Sequence, residues 1–453
     1  MTSIKNNPLN NRQLSSFELG MELFNQSAAT WIVVFISRIK GTLNEEIVRQ
    51  ALDIAQRRHP RLQSHLVGSL KNLRFETEST QKIPLRIVNT EQWQDVVLEE
   101  LNQPIDSRQG FMRAVLVRST TENNINYLIT PIHHVIVDGL SGIRLHQELL
   151  TYMQKITAGE PINQVFCLPA LPPVETLFPD STRRFKGAVK KLSFLLKHLF
   201  KGLWFRPQTL GFEKCVPIKS RRCGFIHRQL DKTLTQQLIK RCQQNNTTVQ
   251  AALCAAMLFT AAKKISVKKK IHLACGTAVN LRNRLNPTLS HENLGAVASV
   301  LLSFHTLHKN TSFWTLAREV KQQLKVGLEN NDIFCLPFIF KTLVKFTLAQ
   351  LSRALGMAVG VTNVGKINIP KVYGAYELEF ICFAPSMVAF EGNLSATVTT
   401  FEEQMLINFM FSEPSISRET AELLTNEVVS CLAEACQRED GLSESEFSEL
   451  KNF

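Results

Sequence analysis

The sequence HHVIVDG at residues 133–139 sets two histidines, an aspartate and a glycine at fixed spacing within an apolar run. The preceding residues, YLITPI at 127–132, are rich in β-branched and aromatic side chains, which predicts a strand. Residues 140–152 carry apolar side chains at helical spacing, so the motif fills a strand-to-helix turn. Asp138 and Gly139 suit such a turn, because aspartate bonds its own backbone and glycine tolerates positive φ. We expect the histidines to face a cleft there.

A histidine held neutral, with one ring nitrogen free, acts as a general base near neutral pH, and His134 is the candidate. Asp138 either orients this imidazole, as a triad aspartate does, or ties the loop to an arginine elsewhere, and we favour the arginine. Alternatively, His133 and His134 are core residues satisfied by backbone carbonyls, which is the more frequent case for an isolated pair. Four residues at fixed spacing in a strand-turn-helix context favour the catalytic interpretation.

Further segments occur in an order that resembles one superfamily. They are ALDIAQRRHPRL at 51–62, VNLRNR at 279–284, NLGAVAS at 293–299 and TNVG at 362–365. With HHVIVDG they resemble the HHxxxDG acyltransferases, which include nonribosomal peptide condensation domains, mycobacterial polyketide-associated acyltransferases, wax ester synthases and, more distantly, plant BAHD enzymes and chloramphenicol acetyltransferase. Gln63 departs from the family's RHPxLR segment, and both the plant DFGWG signature and recognisable condensation-domain YxxY/E-type motifs are missing. These differences favour the lipid and polyketide acyltransferases as nearer relatives.

The resemblance implies a role for each residue of the motif. His134 is the catalytic base, His133 supports it from beneath the loop, and Gly139 leaves room at a channel junction. Asp138 is structural and pairs with Arg282.

Two residues are weaker candidates. Arg284 is the fallback partner for the motif aspartate. Asn363 is a possible oxyanion donor or channel residue, although TNVG equally fits a tight turn with no catalytic part, and we favour the turn. No metal is expected at the site.

The resemblance implies an α/β (α+β) fold of two chloramphenicol-acetyltransferase-like lobes, which form a pseudo-dimer with a central channel. The alternation of helices and strands in both halves independently predicts two α/β lobes. We predict an N-terminal lobe with the motif over 1–168, a proline-rich and basic amphipathic crossover over 169–221 and a C-terminal lobe over 222–453. In the second lobe the pattern predicts a helix at 247–262, capped by Thr247 or Thr248, and strands at 224–230, 271–279, 297–307 and 405–411.

Composition limits the class of protein. A chain of 453 residues, 44% of them hydrophobic, buries a large core. Its ten cysteines contain no C-x-x-C pair, so neither structural zinc nor a disulfide framework is expected. Residues 1–14 are polar and lack the features of a signal peptide, so we expect a cytoplasmic protein. The net charge of +13 favours anionic lipid, coenzyme A or an acidic carrier protein as partner over nucleic acid, for which no binding signature is present.

Two segments have an amphipathic pattern. Residues 183–206 combine lysines with apolar side chains at helical spacing, which is typical of a helix at the inner membrane surface. A linker helix packed on the protein itself explains the pattern as well and is the favoured alternative. Residues 333–355 line a lipid-accepting channel or form a core helix, and the core helix is favoured; Pro337 predicts that this helix begins near it or bends.

The predicted reaction is transfer of an acyl group from an acyl-CoA or acyl-carrier-protein thioester to an alcohol, in lipid or polyketide metabolism. No cofactor is expected beyond the phosphopantetheine arm that the substrate brings. The alternatives are a free-standing condensation enzyme that forms an amide in nonribosomal peptide synthesis, a noncatalytic carrier- or lipid-binding member, and a nucleic-acid-binding protein. We expect a monomer that meets its donor in trans.

Overall fold

Two six-stranded sheets, one small two-stranded sheet and the helices packed against them make up the described parts of the chain. The computed structural model describes residues 10–28, 31–162, 164–183, 204–265, 270–347 and 357–437. Its strands are β1 Ile32–Lys40, β2 His65–Val67, β3 Arg74–Glu76, β4 Leu85–Asn89, β5 Ala114–Arg118, β6 Ile125–His133, β7 Arg222–Leu230, β8 Lys270–Asn280, β9 Ala298–His308, β10 Met357–Lys366, β11 Val372–Tyr373, β12 Tyr376–Pro385, β13 Leu394–Phe401 and β14 Gln404–Glu413. Its helices are α1 Ser16–Ala28, α2 Glu45–Arg58, α3 Trp93–Asn102, α4 Gly139–Thr157, α5 Asp180–Arg183, α6 Lys232–Gln244, α7 Val249–Ile265, α8 Phe313–Glu329, α9 Cys335–Thr347 and α10 Arg418–Gln437.

The first sheet carries the motif loop at the end of β6. Its strand order is β11-β12-β1-β6-β5-β4. β1 pairs antiparallel with β6 on one side and with β12 on the other. Because β11 and β12 come from the predicted C-terminal lobe, the sheet of the N-terminal lobe is completed by a distant part of the chain. The predicted division at residue 222 therefore does not coincide with the division into sheets.

β1 is buried on both faces, and its alternate side chains enter two different cores. Val33 and Phe35 pack in the core that includes α2 and α4, whereas Ile32 and Val34 pack in the core that includes α3. Helix α4 lies directly on β1, since a Cβ on Gly142 would be 1.9 Å from Cζ of Phe35. This close approach sets how near α4 lies to the sheet.

The second sheet has the order β7-β14-β13-β10-β8-β9. β10 runs parallel to both β8 and β13, and the other pairs are antiparallel. The strands predicted in this lobe correspond to β7, β8, β9 and β14, and the predicted helix corresponds to α7. Thr248 caps that helix, because its Oγ1 accepts the backbone N–H of Ala251 at 3.2 Å. The predicted elements of the second lobe are therefore confirmed.

Two predictions fall partly outside the described residues. Most of the amphipathic segment predicted at 183–206 lies there, as does the second segment beyond Thr347. The part that is described forms α9, and Pro337 is the third residue of this helix, as predicted. Within the described ranges, no single helix is long and apolar enough to cross a bilayer. Helices α6 and α7 have the required length and apolarity only when taken together, and they are bent by 100° relative to each other.

Candidate active site

The motif loop connects the last residue of β6 to the first residue of α4. Its backbone is held at the entry, where the N–H of His134 donates to the carbonyl of Trp31 at 3.0 Å, next to the start of β1. Within the loop, the N–H of Ile136 donates to the carbonyl of His133 at 3.1 Å. The strand-turn-helix context predicted from the sequence is present, and it leaves His134 partly buried.

Among the residues that the structure describes, Nδ1 of the His134 ring has a hydrogen-bond partner and Nε2 has none. Nδ1 lies 2.8 Å from the carbonyl oxygen of Val137. A carbonyl oxygen only accepts, so Nδ1 carries the hydrogen and Nε2 keeps its lone pair. Burial lowers the pKa of His134 and outweighs the Val137 bond, which raises it, so the ring favours its neutral form. A neutral imidazole with a free Nε2 is the form that a general base requires.

His133 is fully buried and faces away from this chemistry. Its Nδ1 accepts the backbone N–H of Val135 at 3.1 Å, so the ring hydrogen lies on Nε2. That Nε2 is 3.1 Å from Oε2 of Glu22, a buried carboxylate on α1. Burial raises the pKa of Glu22. The neighbouring His133, and the hydrogen bonds that Gln26 and Ser107 donate to the carboxylate of Glu22, outweigh this effect and leave the pKa below its ordinary value. His133 thus anchors the loop to α1, a contact that supports its predicted supporting role.

Asp138 caps helix α4 and binds across to the second lobe. Its Oδ1 accepts the N–H of Ser141 at 2.9 Å, which closes a capping box. Its Oδ2 forms a buried ion pair with Nη1 of Arg282 and accepts the N–H of Val297 at 3.0 Å. Both oxygens are therefore committed to these groups, and the imidazole of His134 is held by Val137 instead.

The electrostatics of this aspartate follow from its partners. Burial raises the pKa of Asp138, but the charge of Arg282 and the N–H groups of Ser141 and Val297 outweigh it and leave the pKa below its ordinary value. The guanidinium is braced in turn, since its Nη2 donates to the carbonyl of Asn293 at 3.2 Å. The expected pairing of Asp138 with Arg282 is present, whereas the fallback Arg284 is exposed.

Gly139 is small because other side chains occupy the space beside it. A Cβ at this position would lie 2.8 Å from Cζ of Phe383 and 3.2 Å from Cγ1 of Val364. The expected free room at a channel junction is thus filled by Phe383 of β12 and Val364 of β10. These contacts bring strands from both sheets to the first turn of α4.

Asn363 lies in strand β10, so the favoured tight turn at 362–365 is wrong. The strand contains an irregularity between Asn363 and Lys366, where Gly365 has a φ of +78°. The N–H of Gly365 donates to Oδ1 of Asn363 at 2.8 Å, which leaves the amide nitrogen Nδ2 as the group available to a ligand.

Asn363 also lines a cavity of about 550 Å³ in the second lobe. The wall is made of amide, hydroxyl, cationic and apolar side chains from β8, β9, β10, α7, α8 and the segment after β8. They are Gln250, Thr277, Ala278, Val279, Asn280, Asn283, Arg284, Leu301, Leu324, Leu328 and Asn363. The cavity therefore offers both apolar surface and hydrogen-bonding groups.

Two residues of the site were missed by sequence reasoning. Glu22 lies between Met21 and Phe24 in an apolar helix, and an acid on a buried helical face was the signal for a buried partner. Trp31 stacks on the imidazole of His134, with ring centroids 5.5 Å apart and planes at 21°. No local pattern connects Trp31 to the motif, because β1 meets β6 only in the folded sheet.

Two family models match the chain. A condensation-domain model matches residues 13–165, and a model of the phthiocerol/phthiodiolone dimycocerosyl transferase C-terminus matches residues 219–412. The first match contains the HHVIVDG loop and the second contains Arg282. Both sides of the ion pair that joins the lobes thus lie in matched regions.

A curated relative and two solved structures extend these matches. The nonribosomal peptide synthetase kk1B from Curvularia clavata is 23% identical over 380 residues, or 82% of this chain, which spans only 3% of the synthetase's length. Polyketide synthase associated protein 5 from Mycobacterium tuberculosis matches with a TM-score of 0.70 and 18% identity, over 95% of this chain and 98% of that one. The TRI3 trichothecene 15-O-acetyltransferase from Fusarium sporotrichioides matches with a TM-score of 0.75 and 12% identity, over 95% and 99%.

The two structural matches cover nearly the whole of both chains, and they confirm the predicted α/β fold of two chloramphenicol-acetyltransferase-like lobes. The family matches lie in order along the chain, with the condensation-domain match first. Over residues 13–165 and 219–412 the chain is similar to the condensation-domain-like acyltransferases, a superfamily of transferases.

Proposed function

We propose that this protein transfers an acyl group from a thioester of coenzyme A or an acyl carrier protein to an alcohol, with His134 as general base. The observation that carries the proposal is the state of the imidazole, whose Nδ1–H is bound to Val137 and whose Nε2 keeps its lone pair. The lowered pKa of His134 keeps this nitrogen unprotonated near neutral pH. Such a nitrogen removes the proton of a hydroxyl group as its oxygen attacks a carbonyl.

The reaction proceeds in two steps without a covalent bond to the protein. In the first, Nε2 of His134 takes the alcohol proton while the alcohol oxygen bonds to the thioester carbonyl carbon. In the second, the tetrahedral intermediate collapses, the carbon–sulfur bond breaks, and the imidazolium returns the proton to the leaving sulfur. One thioester and one alcohol become one ester and one thiol. The net charge of +13 supports an anionic donor that arrives in trans.

The cavity lined by Asn363 is the proposed binding space for one substrate. It lies at the carboxyl ends of the parallel strands β8 and β10, where α/β sheets bind ligands. Both strands also reach the motif loop, since Arg282 follows β8 and holds Asp138, and Val364 in β10 packs beside Gly139. The Nδ2 group of Asn363 is a candidate donor to a substrate carbonyl or to the oxyanion.

Amide formation by a free-standing condensation enzyme is the second candidate. The condensation-domain match contains the motif, and the relative from Curvularia clavata is a nonribosomal peptide synthetase. An amine acceptor would lose its proton to the same Nε2 of His134. The structural match named as an O-acetyltransferase supports an oxygen acceptor instead. A noncatalytic carrier- or lipid-binding member would not require the free lone pair.

Product analysis by mass spectrometry tests the proposal on the full-length chain. Short-, medium- and long-chain acyl-coenzyme A, and the same acyl groups on a carrier protein, are each offered with fatty alcohols, diols and aminoacyl carriers. We expect ester products, and His134→Gln should lower the rate by about 10²- to 10⁴-fold. His308→Gln, an exposed histidine in β9, is the matched control and should keep full activity.

The other outcomes are equally decisive. Amide products from aminoacyl carriers alone would replace the proposal with the condensation reaction. Ester formation that persists in His134→Gln would rule out the general-base role. Binding of acyl thioesters without turnover of any acceptor would identify a noncatalytic member.

A further inference from the structure

Trp31, just before β1, contacts His134 through both its backbone and its ring. Its carbonyl accepts the N–H of His134 at 3.0 Å. Its indole stacks on the imidazole with centroids 5.5 Å apart and planes at 21°, an offset-stacked geometry. With Nδ1 bound to Val137, the imidazole is held at one edge by a carbonyl and on one face by an aromatic ring.

The indole is itself held in place by aromatic side chains from three other parts of the chain. The centroids of Phe24 on α1, Phe340 on α9 and Phe390 after β12 lie 4.3, 6.4 and 6.2 Å from that of Trp31. The backbone N–H of Trp31 donates to Oδ1 of Asn25 on α1 at 3.1 Å. A ring packed this way cannot swing aside without disturbing α1 and α9, so its contact with the histidine is persistent.

The indole nitrogen makes no hydrogen bond to the described residues, although its atom Nε1 is buried. Its role at this position therefore depends on the aromatic face and not on the N–H group. An aromatic face excludes water from one side of the imidazole and restricts its rotation about the Cβ–Cγ bond. Rotation would turn the free Nε2 away from the acceptor, and a small misplacement of a catalytic group costs up to about 100-fold in rate.

We propose that Trp31 is a positioning residue, whose indole holds the imidazole of His134 in the orientation and the dry environment in which Nε2 takes the acceptor's proton. The role rests on the proposed acyl transfer. It also explains why a large aromatic residue stands where the chain enters β1.

The ionisable groups near the imidazole of His134 are each paired with another residue. Asp138, on the same loop, raises the pKa of His134 but is neutralised by Arg282 from the second lobe. His133, which lowers that pKa, lies against Glu22 of α1. These two pairs are separate from the aromatic contact, so a change at Trp31 leaves them in place. Burial is the largest influence on the pKa of His134 and lowers it, and the indole supplies part of that burial.

The experiment compares Trp31→Ala, Trp31→Leu and Trp31→Phe with the wild type. Histidine ring nitrogens are followed by ¹⁵N nuclear magnetic resonance through a pH titration, with His134→Gln assigning the signal. In Trp31→Ala, and in Trp31→Leu if the alanine variant folds poorly, we expect the pKa of His134 to rise and kcat to fall by about 10- to 100-fold. Trp31→Phe keeps an aromatic face and should stay within about threefold of wild type.

Phe390→Ala is the matched control, because it removes a ring of the same cluster that packs against Trp31 rather than against the histidine. It should lower the melting temperature and shift the titration of His134 much less than Trp31→Ala does. The proposal is overturned if Trp31→Ala or Trp31→Leu keeps the wild-type titration and kcat, or if Phe390→Ala shifts the titration as far. Because the titration needs no turnover, a wild-type protein without transferase activity would disprove the proposed function separately.

Discussion

His133 and His134 are neighbours in the chain but hold their ring hydrogens on opposite nitrogens. His133 accepts a backbone N–H at Nδ1, and His134 donates from Nδ1 to a backbone carbonyl. The first arrangement places Nε2 of His133 3.1 Å from Oε2 of the buried Glu22, and the second leaves a lone pair at Nε2 of His134. Two hydrogen bonds within one short loop thus give the two histidines different roles, His133 as a structural residue and His134 as a candidate base.

The lowered pKa of His134 predicts a particular pH dependence of activity. The base works in its neutral form, so activity is lost as the pH falls through the pKa that His134 has in the folded protein. Because burial holds this pKa below its ordinary value, the acidic limb of kcat/KM should have its midpoint below about pH 6.5. The measurement is a pH–rate profile, with the unfolding transition followed at each pH. A midpoint at or above pH 6.5 in folded protein would contradict the assigned environment.

The buried pair of Asp138 and Arg282 predicts a large effect on stability. Asp138→Asn keeps a side-chain oxygen for the helix cap but leaves the guanidinium unpaired in a buried place. We expect the free energy of unfolding to fall by about 3 to 5 kcal/mol, measured by denaturant titration. The double variant Asp138→Asn with Arg282→Met should lose less than the sum of its single variants. Arg284→Met, at an exposed position two residues on, is the control and should change stability by about 0.5 kcal/mol or less.

At the scale of elements, the site depends on how α4 is seated. Asp138 ends the loop by capping the helix, and Gly142, one turn into it, lets the helix lie on Phe35 of β1. The cap fixes where the helix begins, and the glycine fixes how closely it approaches the sheet. Together they set the path of residues 134–137, which hold the imidazole.

The contact between Gly142 and Phe35 is open to a direct test. An added Cβ would lie 1.9 Å from a ring that is fully buried, so Gly142→Ala should destabilise the protein by about 1 to 3 kcal/mol despite the better helix propensity of alanine. Thermal unfolding measures the effect. Phe35→Leu in the same chain should recover part of the loss, since a smaller side chain makes room. Gly110→Ala, where no atom lies within 4 Å of the added Cβ, should be nearly neutral, and equal losses at both glycines would refute the packing argument.

At the scale of the molecule, the two sheets are interlocked. The first sheet takes β11 and β12 from the second half of the chain, and Asp138 in the first half pairs with Arg282 in the second. Strands β10 and β12 also supply Val364 and Phe383, which pack beside Gly139. The motif loop is therefore assembled from both halves of the chain.

This interlocking predicts that the halves do not fold independently. A fragment of residues 1–221 lacks β12, so one side of β1 would become an unpaired edge along Val33–Lys40. We expect the fragment to aggregate or to unfold without cooperativity, as measured by size-exclusion chromatography and thermal denaturation. Co-expression with residues 222–453 should restore a soluble complex. A monomeric fragment with a sharp unfolding transition would contradict this prediction.

Local signals were sufficient for much of the fold and for part of the site. The β-branched and aromatic residues at 127–132 and the helical spacing at 140–152 predicted β6 and α4, because these patterns depend on neighbours in sequence. The expected pairing of Asp138 with Arg282 came from a family resemblance and not from any pattern in the chain. The segment 362–365 was misjudged, since its asparagine and glycine suggest a turn whereas pairing with β13 holds it in a strand.

The HHVIVDG motif and the periodicity of the strands and helices are features of neighbouring residues in the sequence. These features alone were enough to propose a base at His134 and a two-lobed fold. The partners of the motif required the folded molecule. Arg282 is 144 positions from Asp138, and Glu22 and Trp31 reach the two histidines only because α1 and β1 pack against the end of β6. Side-chain spacing specifies which face of an element is buried, but what that face meets depends on the free energy of packing the whole chain.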